Sequence, residues 1–404
     1  MVFVIVLLLK KYFKKGNYMM ENRERILTTL NLEEPDRIPT HVIYLDANNV
    51  DKIMGKPEKN DFEVIQDLQR DYPDTWLENL NKIIEELETS IFSRMVEAVL
   101  KIGIDTTQIG ILPLEFINEH EMKDIFGRIW EVLNNEGNIN PFYKYGTLDS
   151  VEKWATVKQE IDEVATPKYS KMAKKYYKRI NKRFKDRTIV MVTNDLIGIF
   201  ETTWQALGMV FFTKQLYTNR DFISEMFNTL TEFTISCYKS YIEAGTEIFV
   251  ESGDLAFKTG PFMSPKLFDE LLLPCYKRLT DFVHEQNCKI ILHTDGHVTP
   301  LLDFVVNCGF DGLQSLEPTA GVDLAAVKKK VGKKLCLLGN IDTGAVLSKG
   351  TKEKVEAAVK YAIKTAGPGG GFFISASNMH PAVQVQNLKW MVDATHKYGT
   401  YPLK

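Results

Sequence analysis

The chain has 404 residues, of which 44% are hydrophobic and 25% are charged. This composition is typical of a globular protein with a large core, and it excludes a disordered, fibrous or membrane protein. The net charge of −3 provides no global attraction to nucleic acid or to an anionic membrane. The five cysteines are odd in number and contain no C-x-x-C pair, which argues against a disulfide framework or a zinc ribbon. They indicate a reduced, cytoplasmic protein.

The first twenty residues differ in character from the rest. Val2–Leu9 is an apolar run of eight, which is short of the ~20 residues that span a bilayer. No basic segment precedes this run, as a signal peptide would require. We therefore expect no stable membrane insertion. We interpret residues 1–20 as a non-native or over-extended start, with a weak peripheral anchor as the alternative, and residues 21–404 as one domain.

Short β-rich runs alternate with amphipathic helical segments along the chain. Strands that alternate with helices are typical of parallel β-α-β units. Eight such units with no linker between them predict an α/β fold, a single (β/α)8 TIM barrel. The segment 48–100 is too long for one crossover, so we expect it to add N-terminal helices over the barrel mouth. The predicted strands are Ile38–Leu45, Asp105–Ile111, Thr188–Asn194, Glu247–Glu251, Lys289–Thr294, Asp311–Leu316, Lys334–Leu338 and Gly371–Ser375.

One helical segment is strongly basic. Lys168–Arg187 carries ten Lys or Arg residues and one Asp. Apolar residues recur in it every four positions from Met172 to Phe184, which predicts an amphipathic helix with a basic outer face. We expect a solvated face, and the alternative is a docking surface for an acidic partner.

Polar residues follow most of the predicted strands, at the end of the barrel where active sites lie. Several carboxylates and imidazoles on one rim predict a metal site or an acid/base site. For Asp254, Asp323 and Asp342, capping of a following helix is an alternative role. The residues at the strand ends are Asn194, Asp195, Glu251, Asp254, His293, Asp295, His297, Glu317, Asn340, Asp342, Asn378 and His380.

His293 and Asp295 form the most informative pair in this set. His293 follows an apolar run, and Asp295 lies two residues further on, so both side chains point to the same side of a strand. We interpret this pair as functional. His297 is expected to be structural, and His380 fits either role.

Several motifs resemble, in order, those of the uroporphyrinogen decarboxylase superfamily. They run from about Glu21 to Tyr401 and read EEPDRIP, GIFETTWQALG, HTDGHVTPLLDFVVNCGFDGLQSLEPTAGVDL, LCLLGNID and GGGFFISASNMHP. The resemblance implies a (β/α)8 barrel, in agreement with the strand count.

The superfamily holds two main chemistries, and the first is decarboxylation. Uroporphyrinogen decarboxylases use no cofactor, and they bind the porphyrinogen carboxylates with an arginine-rich motif, R-Q-A-G-R, soon after the first strand. The resemblance implies that a decarboxylase would carry this motif here. Here the corresponding segment reads HVIYLDANNVDKIMGK and contains no arginine. Asp254 lies near the position of a strand-end aspartate of those enzymes. The missing arginines argue against uroporphyrinogen as substrate.

The second chemistry is methyl transfer linked to a corrinoid. The thiol-specific members hold zinc through His-x-Cys and a distant Cys near the last strand. Here His293 matches the histidine, Asp295 stands in place of the first cysteine, and Asn378 and His380 stand near the second. Imidazole and carboxylate ligands are harder than thiolates and suit oxygen better than sulfur. This chain therefore resembles the methyltransferase branch without its thiolate ligands.

From this resemblance we expect a methyltransferase that moves a methyl group from a small methylated substrate to a corrinoid on a partner protein. Zinc at His293 and Asp295, completed by Glu317, Asp254 or His380, would polarise an ether oxygen or an amine. A decarboxylase and a non-catalytic barrel that binds a corrinoid or tetrapyrrole are the alternatives. The remaining predicted roles are catalytic for Asp254, Glu251 and Asp195, and substrate-binding for Asn340, Asp342 and Asn194.

Overall fold

The computed structural model describes residues 19–55, 61–110, 114–136, 138–194 and 198–403. The predictions for residues 1–18, for the strand end at Ile111 and for Asp195 therefore lie outside the described residues. Within the described residues, no helix is both long enough and apolar enough to cross a membrane.

Eight strands form a closed parallel barrel, which confirms the predicted TIM barrel. The barrel order is β1-β2-β7-β8-β11-β12-β13-β14, and β14 pairs with β1. Each barrel strand overlaps the run that predicted it. In chain order the strands are β1 Thr40–Val42, β2 Thr106–Ile109, β3 Leu114–Asn118, β4 Glu121–Asp124, β5 Arg128–Asn135, β6 Asn138–Gly146, β7 Met191–Thr193, β8 Ile248–Ser252, β9 Ala256–Phe257, β10 Gly260–Pro261, β11 Lys289–Thr294, β12 Gly312–Ser315, β13 Cys336–Ile341 and β14 Phe372–Ala376.

The helices surround the barrel and connect its strands. Side-chain caps begin several of them: Ser150 accepts a hydrogen bond from the amide of Lys153, and Thr351 accepts one from Lys354. The α-helices are Asn22–Leu30, Ala47–Met54, Asp61–Asp71, Trp76–Lys101, Val151–Glu160, Thr166–Phe184, Ile199–Leu207, Met209–Thr218, Arg220–Glu243, Pro265–Leu267, Leu273–Glu285, Leu302–Cys308, Leu324–Val331, Lys352–Ala366 and Val385–Tyr398.

The insertion near the N-terminus contains more than the predicted helices. Three helices lie between β1 and β2, as predicted, but an antiparallel sheet of β3, β4, β5 and β6 follows β2. The missed signal for this sheet was the enrichment in Ile, Val, Trp, Phe and Tyr on both sides of the turn-forming residues NNEGN. The sheet and the inserted helices share an apolar cluster that includes Ile65, Leu80, Phe116 and Trp130. The insertion is thus a small α/β layer.

The barrel interior is apolar at the bottom and polar above. The helix Asn22–Leu30 closes the bottom with Ile26 and Leu30, which pack against inward residues such as Val250 and Ile291. Successive strand residues point to opposite faces, so the residues two positions further along also point inward. This alternation places Ser252 and His293 in the next layer up, towards the mouth.

The basic helix Thr166–Phe184 turns an apolar face inward through Tyr176, Ile180 and Phe184, as predicted. Some of its basic residues pair within the chain: Lys174 lies 2.8 Å from Glu243, and Arg183 lies 3.1 Å from Glu97. These carboxylates partly neutralise the basic face. Exposed ion pairs of this kind add little stability.

Candidate metal centre at the barrel mouth

Three predicted residues meet at the carboxyl ends of two neighbouring strands. Asp254 follows β8, while His293 lies on β11 and Asp295 directly after it. The strands are adjacent, and His293 is paired with Ser252. One ligand atom from each of Asp254, His293 and Asp295 lies within 4.8 Å of the others. These three residues are referred to below as the triad.

Asp295 is held firmly in place. Ser315 donates to its Oδ1 at 2.5 Å, Asn378 donates to its Oδ2, and its own amide donates to Oδ1 of Asp254 at 2.8 Å. Burial and the negative charge of Asp254 raise the pKa of Asp295 to about 7. Two carboxylates this close repel each other, so a bound cation would stabilise the triad.

The triad fits a divalent transition metal such as zinc. Its donors are two carboxylate oxygens and one imidazole nitrogen, a set that zinc accepts. Three protein ligands leave a fourth position for substrate, as in catalytic zinc sites. Ser315, which supports Asp295, has a φ of 93°. Residues with a strained backbone of this kind occur often at functional sites.

Two further residues predicted as metal ligands lie outside the triad. Glu317 accepts from the amide of Gly296 at 3.3 Å, and its charge contributes to the raised pKa of Asp295. His380 is exposed, and its Nδ1 accepts from the amide of Ala382 at 3.1 Å. His297, expected to be structural, bonds through Nδ1 to the carbonyl oxygen of Ala320 at 2.9 Å.

The structure places Asn194 and Glu251 away from the triad. Val250 packs in the barrel interior, so its neighbour Glu251 faces the helical layer. There Glu251 accepts from Asn194 and, at 3.2 Å, from the amide of Ile199 at the start of a helix. Asn194 also accepts from the amide of Ser252 at 2.7 Å. The pair thus connects Asn194, which follows β7, to the start of the helix Ile199–Leu207. The catalytic role of Glu251 and the substrate-binding role of Asn194 remain predictions.

Asn340 and Asp342 make local contacts after β13. Asn340 donates to the carbonyl oxygen of Leu316, and Asp342 accepts from the amide of Ala345 as a helix cap. Asp323, also considered as a cap, accepts from Ala325 at 2.8 Å. The capping alternative is observed for Asp323 and Asp342, while Asp254 joins the triad. Substrate contacts by Asn340 and Asp342 remain predictions.

Comparison with known proteins places the chain in a family. Residues 143–398 match the family model described as uroporphyrinogen decarboxylase (URO-D). The chain belongs to the uroporphyrinogen decarboxylase family. This confirms the resemblance seen in the sequence motifs. Within the family, the chain is similar to both methyltransferases and decarboxylases.

The methyltransferase relatives come from Methanosarcina species. The methylcobamide:CoM methyltransferase MtaA of Methanosarcina barkeri is 30% identical over 189 residues, 46% of this chain and 52% of the relative. The methylcobamide:CoM methyltransferase MtbA of Methanosarcina mazei is 25% identical over 207 residues, 51% and 58% of the two chains.

A decarboxylase relative is also present. The uroporphyrinogen decarboxylase of Coxiella burnetii is 24% identical over 197 residues, 46% of this chain and 50% of the relative. The chain spans about half the length of the curated relatives it matches. The solved structure of a methyltransferase from Methanosarcina mazei shares the fold, with a TM-score of 0.66 and 17% identity over 94% of this chain and 99% of the other.

A layer of buried polar side chains lies beside the triad, and sequence reasoning missed its members His41, Gln108 and Gln314. Its members His41, Gln108, Gln314 and Ser375 are each at most 2% exposed. The signal was an uncharged polar residue inside a predicted barrel strand, such as Gln314 in DGLQSL.

Glu251 gives a prediction about stability. Burial raises its pKa to about 8, against 4.5 for an ordinary glutamate. The folded state therefore holds this proton more tightly, and the stabilisation is full below pH 4.5 and is lost as pH rises towards 8. At about 1.4 kcal/mol per pKa unit, the span amounts to several kcal/mol. We expect Glu251→Gln to flatten the pH dependence of the free energy of unfolding between these values.

Urea unfolding from pH 5 to 8 measures this effect. Glu285→Gln is the control, because Glu285 is exposed and should leave the pH slope unchanged. An equal slope in the wild type and Glu251→Gln would contradict the prediction.

Proposed function

We propose that this chain transfers a methyl group from a small methylated substrate to a corrinoid carried by a partner protein. Zinc would be held by Asp254, His293 and Asp295. The observation that carries the proposal is the triad at the barrel mouth. The corrinoid is supported by the relatives named methylcobamide:CoM methyltransferase, whose identity reaches 30% against 24% for the decarboxylase relative.

The triad would act on the atom that carries the methyl group. When bound, zinc supplies Lewis-acid polarisation of that heteroatom. In the transfer, the bond from the methyl carbon to the heteroatom would break, and its electron pair would stay on the heteroatom, which takes a proton from solvent. The methyl group would pass to the Co(I) corrinoid of the partner protein, whose electron pair would form the new carbon–cobalt bond as Co(I) becomes Co(III). Ser315 and Asn378 hold the Asp295 carboxylate in place, so the geometry is set before substrate arrives.

The donor set favours a substrate with its methyl group on oxygen or nitrogen. Carboxylate and imidazole ligands are hard compared with thiolates. All five cysteines are buried and free, and none belongs to the triad. The proposed substrate therefore differs from the CoM that the names of the methyltransferase relatives give. The free cysteines also agree with the proposed cytoplasmic location.

A methyl-transfer assay tests the proposal. The zinc-loaded protein is mixed with chemically reduced cobalamin and with methyl ethers, methylamines and methyl thioethers in turn. Loss of the Co(I) absorbance reports methyl transfer. We expect it to be faster than in the protein-free control with an oxygen- or nitrogen-linked methyl group, and to be abolished in Asp254→Asn. No transfer from any donor would contradict the proposal.

Decarboxylation is the second candidate because the family model and the Coxiella burnetii relative carry that name. It predicts CO2 release from uroporphyrinogen without added metal. The arginine-free segment after β1 argues against this substrate. Incubation with uroporphyrinogen also tests the third alternative, a non-catalytic binding barrel. That alternative predicts tight tetrapyrrole binding without turnover.

A further inference from the structure

Gln314 connects the triad to the buried polar layer. It lies on β12, where its backbone is paired with His293 on β11, and its side chain is fully buried. Its Oε1 lies 3.0 Å from Nδ1 of His293. Its Nε2 lies 3.2 Å from Nδ1 of His41 and 3.3 Å from Oε1 of Gln108. The amide thus lies between two imidazoles.

The carbonyl oxygen of Gln314 determines which ring nitrogen of His293 carries the proton. A carbonyl oxygen only accepts, so Nδ1 of His293 carries the proton and donates. Nε2 then keeps its lone pair, and it faces Asp295 at 3.8 Å from Oδ1. A histidine binds a metal as a neutral ring through its unprotonated nitrogen. Gln314 therefore directs the ligand atom towards the triad.

The other end of Gln314 keeps the amide from turning over. His41 lies on β1 and Gln108 on β2, and neither strand neighbours β12, so these contacts cross the barrel interior. Reversal of the amide would place its oxygen against Oε1 of Gln108. Nδ1 of His41 accepts from Gln314 and contacts Ser375 Oγ at 3.2 Å. With Gln108 accepting, both ends of the Gln314 amide are matched to their partners in this orientation.

We infer that Gln314 is a positioning residue, which fixes the tautomer and ring orientation of His293 so that Nε2 can bind the metal. This inference rests on the proposed metal site. It assigns a role to the buried layer, which holds no metal ligand itself.

Zinc affinity provides the first test, measured by competition with a chromogenic chelator. Gln314→Leu keeps the volume and removes the acceptor, and we expect roughly 10–100-fold weaker zinc binding, as for other outer-shell partners of metal ligands. Gln314→Glu supplies an acceptor again and should recover most of the affinity. Thr234→Val is the control, because Thr234 is equally buried but lies on the helix Arg220–Glu243, outside the polar layer, so the zinc affinity of this variant should stay near that of the wild type.

The tautomer of His293 provides a second test that needs no metal. Long-range 1H–15N spectra of zinc-free protein should show Nδ1–H in the wild type and in Gln314→Glu, and a mixture of tautomers in Gln314→Leu. His293→Gln assigns the signal. A native fold is checked for each variant by its thermal unfolding transition.

The outcomes separate this inference from the proposed function. The role of Gln314 is overturned if the wild type carries the His293 proton on Nε2, or if Gln314→Leu binds zinc as tightly as the Thr234→Val control. If the wild type binds no zinc while the tautomers behave as expected, the proposed function fails and the role of Gln314 in orienting His293 stands.

Discussion

Replacement of His293 or Asp295 by alanine is expected to abolish zinc binding and methyl transfer together. Each change removes one of three donors from the triad. Loss of an outer-shell partner alone weakens metal binding by about 10–100-fold, so loss of a ligand should cost at least roughly 100-fold. Elemental analysis of zinc-loaded, gel-filtered protein should give about one zinc per chain in the wild type, the stoichiometry of a single site, and almost none in the variants.

His380→Ala is the matched control for this experiment. His380 was predicted as a metal ligand, but it is exposed and lies outside the triad. Its zinc content should equal that of the wild type. Glu317 accepts a hydrogen bond from the amide of Gly296 beside the triad. A lower zinc content in Glu317→Ala would indicate that Glu317 is a fourth ligand, and an unchanged content would indicate that it is only a neighbour. A wild type that stays free of metal would rule out the proposed site, and so would full zinc content in both His293→Ala and Asp295→Ala.

Replacement of Asp105 by asparagine is expected to destabilise the fold strongly. Asp105 is 1% exposed and accepts from Arg37 at 2.7 Å, from Arg25 at 3.0 Å and from the amide of Thr40 at 2.8 Å. Burial alone would raise its pKa, but the hydrogen bond and charge of Arg37, followed by the charge of Arg25, outweigh it and hold the pKa below the ordinary value. The ionised form therefore contributes stability above the pKa of the unfolded chain, and this contribution is lost as pH falls through the folded pKa.

Removal of this charge leaves two arginines without their shared partner at the base of the barrel. Breaking a buried ion pair in this way costs about 3–5 kcal/mol. Urea unfolding at pH 7 measures the loss. Asp303→Asn removes a carboxylate that is 77% exposed and paired with Lys330, so it should change stability by less than about 0.5 kcal/mol. A loss below about 1 kcal/mol in Asp105→Asn, the size of a surface pair, would refute the prediction.

This ion network also explains one of the family motifs. In EEPDRIP, Asp36 accepts two hydrogen bonds from Arg25, and Arg37 donates to Asp105. The motif thus ties the helix that closes the barrel bottom to the start of β1 and β2. Its role is structural, whereas in the sequence the motif indicated only a resemblance to the superfamily.

The eight strands of the barrel were predictable from local patterns. Each strand is a short run of apolar residues between helices of regular periodicity, and both patterns are read from neighbouring residues. The pairing of His293 with Asp295 was predictable for the same reason, since two residues along a strand share a face. The antiparallel sheet of β3 to β6 had a comparable signal, in the β-branched and aromatic residues on both sides of NNEGN.

Only the tertiary structure decided which residues from different strands meet. Asp254 reaches the triad because β8 and β11 are adjacent in a register that sets His293 beside Ser252. Glu251 lies three residues earlier and faces the helices, because a shift of one position turns a side chain to the other face. Gln314 contacts His41 and Gln108 across the closed barrel. The contacts of Gln314 join residues more than 200 positions apart. Strand register and barrel closure determine all of these contacts, and neither leaves a local pattern in the sequence.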